Sequence, residues 1–160
     1  MTMLQYTTHD VHKIGDWQVL AKNLLAEAAK KRVWAISGDL GSGKTTLVQA
    51  LCQYLGVRQK VTSPTFTLVH SYTTMQEAVV HHLDAYRIKT PKEALEIGIE
   101  SYLTGDHYCF IEWPERITSL LPATYFSIQI EAPLSGKRHI RAAHHFTSDE
   151  QLLSLGAKLT

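Results

Sequence analysis

The spacing of apolar residues divides the chain into segments of alternating period. Between Asp16 and Arg32 the apolar residues Trp17, Leu20, Ala21, Leu24, Leu25 and Ala28 recur at i, i+3 and i+4, which predicts an amphipathic helix. Val33-Trp34-Ala35-Ile36-Ser37 then forms a short apolar run rich in β-branched and aromatic types, suited to a buried strand. From Thr45 to Leu55 the helical period returns, with Leu47, Val48, Leu51 and Leu55 on one face and Gly56 as a stop. A polar Thr/Ser/Pro turn at Val61 to Pro64 runs into an alternating strand that reaches Tyr72, and a second strand spans Ala78 to Leu83 and ends on Asp84.

The second half is read the same way. Thr90-Pro91-Lys92-Glu93 carries a capping residue, a proline at the first helical position and an acid in the first turn, so a short helix starts there. Tyr108 to Ile111 is an apolar strand ending on Glu112, and Pro122 marks a break. Tyr125 to Glu131 and Arg138 to Ala142 read as two strands around the turn Pro133-Leu134-Ser135-Gly136, and Ser148 to Leu155 as a final short helix. Helices alternate with strands through the first two thirds and a β-rich segment closes the chain. The expectation is one three-layer α/β domain over residues 1–160, with a mostly parallel central sheet and antiparallel strands added at one edge.

The joint between the first strand-like run, Val33 to Ser37, and the next helix carries the chemistry. Gly38-Asp39-Leu40-Gly41-Ser42-Gly43-Lys44-Thr45 is a complete G-x-x-x-x-G-K-[ST] string, placed after a strand and before a helix. Glycines let successive backbone N–H groups face phosphate oxygens, a lysine reaches the β- and γ-phosphates, and the following hydroxyl suits magnesium. The helix N-terminus adds its own free N–H groups and dipole. The domain is therefore expected to be of the P-loop NTPase-like kind. Phosphoryl transfer also needs an acid for the metal and a group that places the attacking atom. Asp84 and Glu112 each stand just past an apolar run, at strand ends that line the ligand crevice of an open α/β sheet. Thr62-Ser63-Pro64-Thr65-Phe66-Thr67 lies between the helix that follows the glycine loop and the strand that ends on Asp84, where its hydroxyls could sense a terminal phosphate.

Composition narrows the partners. The 160 residues are 44% hydrophobic and 19% charged with a net charge of +1, which gives no electrostatic footprint for gripping a nucleic-acid backbone. No apolar stretch has the length of a membrane span, and the first residues lack the order of a signal peptide, so a cytoplasmic location is expected. Cys52 and Cys109 fall in different elements and are expected to be separate buried thiols. The nine histidines include the doublets His81-His82 and His144-His145. Neighbours on a strand face opposite ways, so neither doublet can give two ligands to one metal, and a structural role is expected.

Five blocks, in order and spacing, resemble the bacterial TsaE (YjeE) family: residues 38–46, Thr62 to Val69, His82-Leu83-Asp84-Ala85-Tyr86-Arg87, Leu95 to Ile99, and Ile111-Glu112-Trp113-Pro114-Glu115-Arg116. The resemblance spans about residues 33–122. It implies a small P-loop ATPase that acts with TsaB and TsaD proteins in threonylcarbamoyladenosine modification of tRNAs reading codons that begin with A. tRNA would be met only through that complex. Carried over, the phosphate-binding positions fall on Gly41, Ser42, Gly43, Lys44, Thr45 and Thr46, and the magnesium positions on Thr45 and Glu112. Asp84 matches an acid that acts on the metal or orients the switch segment, Thr65 a switch hydroxyl, Trp113 the tryptophan beside the acid, and Arg138 an arginine near the nucleotide. Lys44, Asp84, Glu112 and Thr65 are thus the expected catalytic group, with ATP and Mg²⁺ as cofactors. The threonine that the family places ahead of its first helix, near the adenine, has no equivalent in Asp10-Val11-His12-Lys13. A small-molecule kinase is the alternative, with Arg138 and Arg141 as lid arginines; a GTP switch lacks its N-K-x-D and D-x-x-G motifs.

Overall fold

The computed structural model describes residues 5–146. The helix expected at Ser148 to Leu155 lies outside them. Seven strands, β1 (Tyr6–Val11), β2 (Val33–Gly38), β3 (Val69–Thr73), β4 (Val79–Asp84), β5 (Tyr108–Glu112), β6 (Tyr125–Glu131) and β7 (Arg138–His145), form one sheet in the order β1-β7-β6-β2-β5-β4-β3. The four central strands run parallel, β2 pairing with both β5 and β6 and β4 pairing with β5. Antiparallel pairs flank them, β1 with β7 and β7 with β6 on one side, β3 with β4 on the other. The added antiparallel strands therefore stand at both edges, where the sequence pattern placed them at one.

Helices α1 (Asp16–Ala28) and α2 (Lys44–Tyr54) cover one face; α3 (Pro91–Ile97) and α4 (Glu100–Leu103) belong to the other. The strand side chains divide accordingly. Trp34, Ile36 and Phe110 join the apolar cluster of α1 and α2, while Val33, Cys109 and Ile111 join that of Ala94, Ile99 and Leu103. Alternation on central strands covered on both faces gives near-continuous apolar runs, which is why β2 and β5 were readable from sequence. The expected three layers are present. Trp34 anchors the first cluster, meeting Phe110 and Phe126 edge-on at 5.3 and 4.8 Å between ring centres.

Several boundaries differ from expectation. The helix predicted to Arg32 stops at Ala28, because Ala29 takes φ 54° and the chain turns into β2. The strand expected to follow the turn at Val61 to Pro64 starts only at Val69; before it the chain is irregular and Leu68 sits at φ 68°. β7 runs three residues past Ala142, and β1 carries no apolar signal that announced it.

Candidate nucleotide-binding site

The loop from Gly38 to Gly43 leaves the end of β2 and enters α2 at the C-terminal edge of the parallel strands. Gly41 and Gly43 take φ of 78° and 114°, backbone conformations that an L side chain resists. Gly43 is constrained twice, since a Cβ there would come within 2.6 Å of the Trp17 ring. Helix α1 thus presses Trp17 against the loop, a contact the sequence pattern did not reveal, because Trp17 reads only as a core position.

Lys44, 5% exposed, opens α2. Its Nζ donates to the carbonyls of Gly38 at 2.5 Å and Asp39 at 2.8 Å, and lies 4.2 Å from the centre of the Trp113 ring. Burial lowers its pKa below the ordinary lysine value, opposed by the nearby charges of Glu112, Glu115, Asp84 and Asp39. Thr45 Oγ1 donates to Glu112 Oε1 at 2.8 Å. The second oxygen of Glu112 meets His82 Nε2 at 3.0 Å, both side chains being buried. The expectation that the doublet His81-His82 splits between faces holds: His81 meets Ser71 Oγ at 2.7 Å, whereas His82 turns to Glu112.

Asp84 faces the other side of the cleft. Its Oδ2 accepts from Thr65 at 2.9 Å and Ser63 at 3.2 Å, and its Oδ1 accepts from the Tyr86 backbone N–H at 2.9 Å. Trp113 follows Glu112 at φ 57° and packs against Tyr86, ring centres 5.0 Å apart. A pocket of about 280 Å³ is lined by Leu40, Gly41, Gly43, Lys44, Thr45, Thr46, Ser63, Thr65, Asp84, Tyr86, Glu112 and Trp113. Nearly all the residues singled out from sequence therefore converge on one cleft. Ser42 and Arg138 stand differently. The Ser42 side chain is buried with its Oγ unpartnered, and its carbonyl accepts from Arg138 Nε at 2.9 Å, which ties the loop to β7. Arg141 lies with Glu131, 3.8 Å away, and does not line the cleft.

The donor set fits a polyphosphate and a hard cation. Glycine-shaped backbone and a buried ammonium suit phosphate oxygens, while a hydroxyl and two carboxylates suit magnesium. Residues 11–140 match the family described as threonylcarbamoyl adenosine biosynthesis protein TsaE. The chain belongs to the TsaE family. Relatives named tRNA threonylcarbamoyladenosine biosynthesis protein TsaE include one from Haemophilus influenzae, 33% identical over 81% of this chain and 82% of its own length. One from Treponema pallidum is 34% identical over 79% and 90%, and one from Bacillus subtilis 32% over 77% and 76%. The crystal structure of Bacillus subtilis YdiB superposes with a TM-score of 0.75 over 99% of this chain and 98% of that one, at 24% identity, a likeness of fold. The site described above lies wholly within the matched TsaE residues. Among the described residues no helix is long and apolar enough to cross a membrane.

Proposed function

We propose that this TsaE-family chain is a cytoplasmic, magnesium-dependent ATPase that serves threonylcarbamoyladenosine modification of tRNA, by driving or resetting a complex of TsaB-type and TsaD-type proteins. The observation that carries the reading is the meeting of Lys44, Thr45 and Glu112 at the mouth of α2, with Asp84 and Thr65 across the same cleft. In this reading the loop N–H groups and Lys44 hold the β- and γ-phosphates of ATP, and Lys44 exchanges its loop carbonyls for phosphate oxygens. Thr45, Glu112 and Asp84 would hold the cation, which when bound neutralises charge on the phosphate oxygens. Thr65 and Ser63, free to leave Asp84, place the attacking water and register whether the terminal phosphate is present. Trp113 and Tyr86 wall the cleft against solvent. Among the described residues no arginine lines the cleft, so turnover by the chain alone is slow and partners supply the missing stabilisation. tRNA is reached through those partners, in keeping with the net charge of +1.

The test is steady-state release of phosphate from ATP, with and without purified TsaB and TsaD homologues, beside Thr45→Ala and Glu112→Ala. Partners are expected to raise turnover at least tenfold, and both variants to remove the gain. No stimulation by partners overturns the coupling. Phosphate transfer to a metabolite in place of free phosphate would make the chain a kinase.

A further inference from the structure

His82 is the most deeply buried histidine of the chain, wholly without exposure, and it is bonded to the side chain of Glu112. Its position follows from the sheet. His82 and Asp84 are two residues apart on β4 and so point to one face, and the in-register pairing of Asp84 with Glu112 puts the Glu112 carboxylate on that face too. A carboxylate oxygen accepts, so Nε2 carries the hydrogen of this bond and donates it. Nδ1 has no partner. A buried polar atom without a partner costs roughly 1–3 kcal/mol, and a purely packing residue at this position would be apolar, like its neighbours Val80 and Leu83.

We propose that His82 is a positioning residue for Glu112: by holding Oε2 it turns Oε1 toward Thr45, presenting one defined carboxylate oxygen to the cation side of the cleft. Each oxygen of Glu112 has a single role, His82 on one and the Thr45 hydroxyl on the other. Without the imidazole the carboxylate is free to rotate, and Oε2, then unpartnered in a buried setting, competes with Oε1 for Thr45. Groups that orient a metal-binding carboxylate in this way commonly change metal affinity or activity by about 10–100-fold when removed. The inference rests on the magnesium-nucleotide reading above and adds to it the residue that aims the acid.

Two variants separate aiming from packing. His82→Gln carries an amide N–H at nearly the reach of Nε2, whereas His82→Asn stops short of Glu112. ADP binding is followed through the intrinsic fluorescence of the three tryptophans, of which Trp113 lines the cleft, with magnesium and in EDTA. For H82N the magnesium-dependent gain in affinity is expected to fall by about 10–100-fold, with binding in EDTA within twofold of the parent; H82Q is expected to recover most of the loss. A folded H82N with the parent's magnesium dependence overturns the proposal, as does a folded H82Q no better than H82N. If either variant fails to fold, ¹⁵N-histidine NMR of the unaltered protein decides: a hydrogen on Nε2 whose signal moves on adding Mg–ADP supports the role, and an Nε2 without a hydrogen, or indifference to Mg–ADP, overturns it. Absence of any nucleotide binding by the unaltered protein is a separate result, and it overturns the ATPase reading itself.

Discussion

Gly43 shows how narrowly the phosphate loop is specified. Its φ of 114° is costly for any L side chain, and the Trp17 ring occupies the place of a Cβ. Gly41 has a positive φ as well but open space around it. Gly43→Ala is therefore expected to lose about 2 kcal/mol or more, from backbone strain and overpacking together, and Gly41→Ala about 1 kcal/mol from strain alone. Urea unfolding midpoints of the two variants check the order; equal losses would show that Trp17 gives way freely. Glycine, lysine and threonine at fixed spacing were legible in the sequence because their chemistry is local. The parts of the cleft contributed by Trp17 and His82 were not, because each acts through a contact with a residue distant in the chain. His82 left one signal, its place two residues before Asp84.

At the level of elements, legibility followed burial. β2 and β5, covered on both faces, announced themselves as apolar runs, whereas β1 is a mainly exposed edge strand of Tyr6, Thr7, Thr8, His9 and Asp10 with only Val11 buried. Its pairing with β7 rests on backbone hydrogen bonds, which leave little trace in side-chain type, and on Asp10, which meets His139 at 2.6 Å and Lys137 at 3.1 Å. Helix α3 was legible through its start. Thr90 Oγ1 accepts from the Glu93 backbone N–H at 3.2 Å, Pro91 follows, and Glu93 Oε2 accepts from the Lys89 N–H at 3.0 Å. Thr90→Ala is expected to cost about 1 kcal/mol, read as a lower denaturation midpoint with nucleotide binding unchanged. A neutral substitution would mean that Pro91 and Glu93 alone start the helix.

For the molecule as a whole, the two apolar layers carry one thiol each, Cys52 against α1 and the sheet, Cys109 on the opposite face, both free and buried. Burial pushes each thiol from its ordinary value of 9.0 up to about 12. The unfolded chain releases these protons near pH 9 while the folded one keeps them to about pH 12, so ionisation favours unfolding in that window. Their contribution to stability is expected to be complete below pH 9 and to fall progressively above it. Urea midpoints at about pH 7.5, 9 and 10.5 test this, and the decline should be smaller in the Cys52→Ala, Cys109→Ala double variant. In the folded protein near neutrality neither thiol should react with a thiol reagent.

The in-register pairing of Asp84 with Glu112 reaches furthest across these scales. The acids sit on hydrogen-bonded parallel strands, so the gap between their backbones is the interstrand repeat, about 4.8 Å. Glu112 stands one strand away from the loop-bearing β2, and Asp84 two. No rearrangement of residues 61–68 can alter that interval. The sheet is a graduated ruler with a carboxylate on each of two adjacent marks, and the threonine-rich segment is the part free to slide against it.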